Sequence, residues 1–298
     1  MKSIFSIDVE DWFHILDVPA APDYAEWGTL PSRVERGFTK LLDALSENRA
    51  KATCFFLGWV AKKNPHLVRE AVSRGHEIAS HGFRHELVYT LERSKFAEDA
   101  AGSRKALEDM AGTAVTGYRA PGFSVTAEVP WFFDELIDAG YTYDSSVFPA
   151  GRGHGGMNTG DLAPHWIAGK NGRIMEFPMT VATIFGRRVC FFGGGYLRFF
   201  PYRLVRRMAA SVAREGRPVI FYIHPRELDP GQPRLPMNPL RRFKSYVNLG
   251  GTEQKICAVI RDFELTSFHD FIGQAGAATE GTAGGSCQGA GEKHGRKD

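Results

Sequence analysis

Two histidines four residues apart, His81 and His85 in the run SHGFRH (Ser80–His85), are the part of this sequence best suited to hold an ion. Histidines at that spacing lie on one side of a helical turn, so both imidazoles reach one point. Zinc accepts imidazole nitrogen and carboxylate oxygen, and a His-His-carboxylate set leaves positions open for water and substrate. The carboxylate is available from the acidic run Asp8-Val9-Glu10-Asp11. Taken singly, the first motif reads as a surface histidine pair and the second as a solvated turn. Together, each directly behind an apolar run, they read as a divalent metal centre, with zinc the first candidate. Glu10 and Asp11 both qualify as third ligand. Glu10 shares a side with Asp8 in an extended strand, whereas Asp11 fits if the chain turns after Asp8.

Three further residues stand at the ends of apolar runs: Arg119 in YRAPGF, Asp144 in YTYD and His224 in VIFYIHP. An isolated Arg pairs with a surface acid by default, but beside a working carboxylate it keeps that group ionised and oriented. A histidine behind an apolar strand is ordinarily a buried structural residue. Its alternative is a general acid, since an imidazole suits proton delivery to a leaving nitrogen near neutral pH. Gly193-Gly194-Gly195 lacks a following Lys-Ser/Thr and is no phosphate loop; it reads as a flexible connection. Phe191, Phe192, Tyr196, Phe199 and Phe200 around it offer a hydrophobic rim.

These residues need elements that bring them together. Strands are expected at Ser3–Asp8, Ala52–Leu57, His76–Ser80, Gly117–Ala120, Tyr141–Asp144, Arg173–Phe177, Pro218–Ile223 and Phe263–Thr266, all rich in Phe, Ile, Val and Tyr. Helices are expected at Ser32–Asn48 with Ser32 as N-cap, from Asn64-Pro65 to Gly75, and at Ser94–Met110, Val129–Ala139, Tyr202–Arg214 and Glu253–Asp262. Strand–helix–strand alternation implies right-handed crossovers and a parallel sheet. The fold class is therefore α/β, a distorted (β/α) barrel of about seven to eight parallel strands with an irregular C-terminal arm. In such a barrel the carboxyl ends of the strands share one face, where the chemistry sits. Gly151–Gly172 reads as a long loop over one end, and Pro-rich, basic Asp229–Gly251 as an ordered arm rather than a helix. Residues 1–272 make the barrel and 273–298 a disordered tail, because Gln274–Asp298 has no Leu, Ile, Val or aromatic residue to bury. Removing that tail is expected to change neither melting temperature nor activity.

Composition narrows the classes. The 298 residues carry 37 Lys and Arg against 34 Asp and Glu, so no run of basic residues dominates and nucleic acid is not an expected partner. Cys54, Cys190, Cys257 and Cys287 lie far apart and give neither a zinc-thiolate motif nor a disulfide framework. MKSIFSIDVEDWFH does not read as a signal peptide, and no apolar run is long enough for a transmembrane segment. A cytoplasmic location is the expectation.

The order of motifs resembles that of the NodB-type polysaccharide deacetylases, carbohydrate esterases built on a distorted βα barrel. SIDVED (Ser6–Asp11), HGFRH (His81–His85), RAP (Arg119–Pro121), YDSS (Tyr143–Ser146) and FYIH (Phe221–His224) stand where that family has its motifs, over roughly Met1 to Thr266. The DVEDWFH opening and the PLRRF arm are most similar to a subgroup associated with bacterial exopolysaccharide biosynthesis. The resemblance implies metal-dependent removal of N-acetyl groups from amino sugars of a polysaccharide or its precursor. By it Asp8 is the base, His81 and His85 are metal ligands together with Glu10 or Asp11, and His224 is the acid. Arg119 orients Asp8, and Asp144 holds or tunes His224. This sequence departs from the family at Gly82, where a Ser or Thr is usual, and at Phe148, where a groove-floor Trp is usual. Two rival readings use the same scaffold: an allantoinase-like hydrolase of a non-sugar C–N bond, and a non-catalytic glycan-binding module.

Overall fold

The computed structural model describes residues 2–151, 155–157 and 160–274. Strand β1 (Ser3–Val9) is buried along its whole length and is paired with a parallel neighbour on either side. Helix α1 (Val34–Glu47) leads back to β2 (Thr53–Phe56), and α2 (Gly58–Lys63) with α3 (Pro65–Ser73) to β3 (Glu77–Ser80). Next come α4 (Arg93–Ala111), β4 (Gly117–Tyr118), α5 (Phe132–Asp138) and β5 (Tyr143–Asp144). Two antiparallel hairpins follow, β6 (His165–Gly169) with β7 (Gly172–Glu176), and β8 (Val181–Ile184) with β9 (Arg187–Cys190). The chain closes with α6 (Gly194–Phe199), α7 (Tyr202–Arg214), β10 (Ile220–Ile223), α8 (Pro239–Tyr246), α9 (Thr252–Asp262) and β11 (Leu265–Thr266).

The main sheet runs β10-β1-β2-β3-β4-β5-β7-β6, with β11 beside the start of β1, and every pair except β6–β7 is parallel. This is the distorted (β/α) barrel expected. Apolar helix faces cover its outside: Phe38, Leu41, Leu42 and Leu45 of α1 are fully buried, at the spacing the sequence shows. The expected strands are all present within a few residues of their expected ends.

Five expectations need correction. The stretch read as a long loop, Gly151–Gly172, contains β6, whose alternating half-exposed pattern left a weak signal. The arm Asp229–Gly251 contains the helix α8, opened by Pro239 and capped by the Asn238 side chain, which accepts from the Arg241 N–H. The glycine run is no flexible connection. Gly193 pairs with Tyr222 of β10, and Tyr222 N–H donates to Phe192 O at 3.1 Å, which partly bridges the gap beside β10. A side chain at Gly193 would meet the Tyr222 carbonyl oxygen at 2.3 Å, so only glycine permits this approach. Phe191 and Phe192 are buried core, which reduces the expected rim to Tyr196, Phe199 and Phe200. Phe148 is likewise buried, against Phe123. Gly273 and Gln274 belong to a helical segment over 268–274; the rest of the expected tail lies outside the described residues.

Candidate active site

Parallel strands deliver the site residues to one face. Asp8 lies in the last turn of pleat of β1, Glu10 follows it, His81 follows β3, Arg119 follows β4 and His224 follows β10. One ligand atom from each of Glu10, His81 and His85 lies within 4.8 Å of the others, and all three residues are buried.

The local chemistry of this group fits a divalent cation. His81 Nδ1 lies 2.8 Å from the Arg119 carbonyl oxygen. A carbonyl only accepts, so Nδ1 carries the proton and Nε2 keeps its lone pair. Burial pushes His81 down to about 4, so the ring is neutral near pH 7. Glu10 Oε2 is buried without a hydrogen-bond partner, although it lies 2.6 Å from His85 Nε2. Burial favours a protonated Glu10, but the surrounding His85, His224 and His81 outweigh it and hold the carboxyl far below its usual range. An ionised, unpartnered carboxylate oxygen facing two imidazoles is a donor set for a hard or borderline cation. The loop that carries the pair is not helical. Gly82 and His85 both have positive φ, 69° and 56°, so the expected helical turn is wrong. Glycine suits this position: its positive φ strains any side chain, and a Cβ would also press on Asp99 Oδ2 at 2.9 Å.

Asp8 stands beside this group. Arg119 Nη1 donates to Asp8 Oδ1 at 2.7 Å and to Ser6 Oγ at 2.8 Å. Its remaining N–H groups reach the Ser145 carbonyl and Oγ, each at 3.2 Å, and its guanidinium lies 4.1 Å from the Phe55 ring centroid. A fully buried arginine satisfied this way cannot turn away from its carboxylate. Opposite, His224 Nε2 lies 3.9 Å from Asp8 Oδ2 and 3.5 Å from Glu10 Oε1. Burial lowers His224, but Glu10, Glu227 and Asp8 together raise it above the ordinary imidazole value.

Two assignments change. Asp11 is not near the ligand atoms. Its carboxylate accepts from Ser32 Oγ (2.6 Å) and from the backbone N–H of Arg33 (2.9 Å) and Val34 (3.3 Å), capping α1 from 22 and 23 residues away. Ser32 is thus a donor to the cap rather than the N-cap itself. Asp144 does not touch His224. It accepts from Ser146 Oγ (2.6 Å) and Ser146 N–H (3.0 Å), and the buried Glu176 lies beside it. The acid that faces His224 Nδ1, at 3.8 Å, is Glu227, which is itself paired with buried Arg198. Neither Glu227 nor Arg198 was found from sequence; the legible signal was the His-x-x-Glu spacing of a capping box, which His224 and Glu227 form. His14 was missed too. Its Nδ1 accepts from the Asp11 N–H at 2.8 Å, so its buried, unpartnered Nε2 bears the proton, between the Trp27 and Trp59 rings and His85.

The structure is thus a mostly parallel βα barrel with a buried Glu-His-His group, a candidate metal site, at its strand ends. Residues 28–143 match the family model "Polysaccharide deacetylase", and residues 145–273 match a "Domain of unknown function (DUF3473)". Asp8 and Glu10 lie ahead of the segment that matches the deacetylase model, and His224 lies beyond it. It is 29% identical over 102 residues to a peptidoglycan-N-acetylglucosamine deacetylase of Bacillus cereus, covering 34% of this chain and 46% of that protein. It is 25% identical over 149 residues to a peptidoglycan deacetylase of Helicobacter pylori, covering 48% of each. The match therefore spans less than half of either relative. Among solved structures, a probable polysaccharide deacetylase from Pseudomonas aeruginosa PAO1 has a TM-score of 0.54 at 18% identity, covering 88% of this chain and 86% of that one. The Puue allantoinase structure has the same TM-score at 16% identity, with coverage of 88% and 85%. These likenesses establish the fold alone.

Proposed function

We propose that this chain is a metal-dependent hydrolase that removes N-acetyl groups from amino sugars of a polysaccharide or its precursor. The observation that carries the reading is one buried face holding Glu10, His81 and His85 together, with Asp8 clamped by Arg119 on one side and His224 facing both carboxylates. A divalent ion held by Glu10, His81 and His85, zinc first among candidates, would supply Lewis-acid polarisation of the acetamide carbonyl and a more acidic water. The protein's own residues do the rest. Arg119 occupies Asp8 Oδ1 and leaves Oδ2 to take the proton of the attacking water. His224 donates the proton from Nε2 to the departing nitrogen as the C–N bond breaks, giving acetate and a free amine. Glu227 stands behind Nδ1 and steadies the protonated ring.

The match to the deacetylase model and the names of the curated relatives support an N-acetylated carbohydrate as substrate. The exopolysaccharide setting rests on the DVEDWFH opening and the PLRRF arm. The test is acetate release from a panel of N-acetylated sugars and oligosaccharides, with metal analysis of the same preparation. Ring opening of allantoin without acetate release from any sugar would replace this reading with the ureide hydrolase. Stoichiometric glycan binding without release of either product would leave only a binding module.

A further inference from the structure

The near-balanced charge of the chain conceals an uneven distribution. Residues 187–244 carry thirteen Lys and Arg against three Asp and Glu, whereas the whole chain carries 37 against 34. Those three acids are already engaged: Glu215 with Arg217, Glu227 with Arg198 and Asp229 with Arg33. The exposed cations of this stretch therefore face solvent with little local compensation.

On the same stretch, α6 and α8 expose large apolar side chains. Phe199 is 55% exposed, Leu240 64% and Phe243 51%. The Phe199 and Phe243 rings meet edge-on, 5.8 Å between centroids, so the two helices share one apolar ridge. Leu240 lies three residues before Phe243 and so on the same helix face. Exposed Arg242 and Lys244 flank Phe243, each rotated by about 100° from it around the helix. Helix α8 contains no acidic residue. An apolar ridge with a cation on either side is the pattern of a helix lying in a membrane interface, where anionic headgroups attract the cations. A second copy of the same positively charged surface would repel the first, and a polyanionic glycan would gain little from the aliphatic Leu240.

We propose that the α6–α8 surface docks on an anionic lipid bilayer. Phe199, Leu240 and Phe243 enter the boundary between headgroups and acyl chains, while Arg242 and Lys244 meet the lipid phosphates. This is attachment from one side; no helix among the described residues is long and apolar enough to cross a membrane. The surface is also tied to the site. Arg198 Nη2 donates to the carbonyls of Lys244 (2.9 Å) and Ser245 (3.2 Å) at the end of α8, and Nη1 of the same guanidinium pairs with Glu227, which faces His224. Docking would thus hold the barrel at a set distance from the lipid surface.

The experiment is sedimentation of the full chain with vesicles of phosphatidylcholine, alone or containing phosphatidylglycerol, at low and high salt. Binding is expected only to the anionic vesicles. The pair Leu240→Ser/Phe243→Ser should lower the partition coefficient about tenfold or more. The pair Arg242→Gln/Lys244→Gln should lower it similarly and remove much of its salt dependence. Both variants should keep the wild-type melting temperature, since the replaced side chains are exposed. Equal partition onto neutral and anionic vesicles, or none onto either, would overturn the proposal. So would an apolar variant that binds as well as wild type while dextran sulfate competes for the surface, which would mark a polyanion site. Concentration-dependent dimerisation lost in the apolar variant would overturn it in favour of a second copy.

Discussion

The two halves of the candidate site are held by different means. The half from the first part of the chain, with Asp8, Glu10, His81, His85 and Arg119, hangs on regular parallel strand ends. Backbone and hydroxyl groups fix it: the Arg119 carbonyl sets the His81 tautomer, and the Ser145 carbonyl and hydroxyl hold the Arg119 guanidinium. The half from the second part hangs on one strand end, and charge holds it. His224 faces Glu227, Glu227 pairs with Arg198, and Arg198 is anchored to the end of α8. Backbone anchoring builds a rigid cluster able to hold an ion. Charge anchoring sets the proton affinity of one imidazole. Substitutions in the first half should therefore break the reaction outright, and those in the second should grade it.

The largest expected effect is loss of the ion. His81→Ala and His85→Ala should each abolish hydrolysis and metal content, because one imidazole and one carboxylate hold a divalent ion much less well than two imidazoles and a carboxylate. The far-UV circular dichroism should stay nearly unchanged, since the core is built from residues such as Phe5, Ile7, Phe56 and Phe221. Added zinc should restore chelated wild type but not the variants. Full activity of His81→Ala under strict chelation would sink the metal reading.

Asp8→Asn should keep the metal and lower turnover by about 10²–10⁴-fold, the scale of a general-base contribution. An empty metal site in that variant would move Asp8 into the ligand set and blur the division between base and ligands. In the second half, Arg198→Met/Glu227→Gln replaces the buried pair without leaving either charge alone. It should lower kcat by about 10–100-fold with KM nearly unchanged, and shift the acidic partner's limb of the pH–rate profile downward as the support for protonated His224 is lost. An unchanged profile would mean that Glu227 serves only the fold.

A buried carboxyl pair lies behind Arg119 and answers to pH through stability instead. Burial, with Asp144 beside it, pushes Glu176 well above its ordinary 4.5. Folded Glu176 keeps its proton above pH 4.5 and unfolded Glu176 loses it, so folding takes up a proton there. Stability from this group is full below about 4.5 and is lost as pH rises through the raised folded value. The slope should approach about 1.4 kcal/mol per pH unit for one proton. Glu176→Gln keeps both an acceptor for the Val147 N–H and a donor for Asp144, and should flatten that slope in urea titrations at several pH values. A slope unchanged in the variant would assign the proton elsewhere.

The same contrast explains what was legible in the sequence. The strands and main helices repeat apolar residues at local periods, so β1, β2, β3 and α1 could be read directly, and with them the strand ends that carry Asp8, His81 and Arg119. The hairpins β6–β7 and β8–β9 are short and half-exposed, and apart from β7 they gave no such period. The conformation of the histidine pair depends on Gly82 crowded by Asp99, 17 residues on, which i,i+4 spacing does not show. Glu227 was overlooked because Asp144 was assigned to His224 by resemblance, while a glutamate three residues beyond the histidine was the local clue. The choice between Glu10 and Asp11 turned on Ser32 and Arg33, partners that only the folded chain brings to Asp11.

That last choice gives the smallest and most discriminating test. Asp11 is 1% exposed, and its carboxylate answers the first N–H groups of α1, which no preceding helical carbonyl can reach. Burial raises its proton affinity, opposed by the bonds from Ser32, Trp12, Arg33 and Val34. Asp11→Ala should therefore destabilise the fold by about 1–2 kcal/mol, the usual cost of an N-cap. Metal content per folded molecule should not change, since the Asp11 carboxylate takes no part in the Glu10-His81-His85 group. Asp11→Asn, which keeps one carbonyl oxygen as acceptor, should recover part of the stability. Glu10→Gln makes the opposite trade: it should empty the metal site while leaving the α1 cap, and hence most of the melting temperature, in place. If Asp11→Ala loses the metal and Glu10→Gln keeps it, the ligand assignment is reversed, and the turn after Asp8 must rearrange when the ion binds.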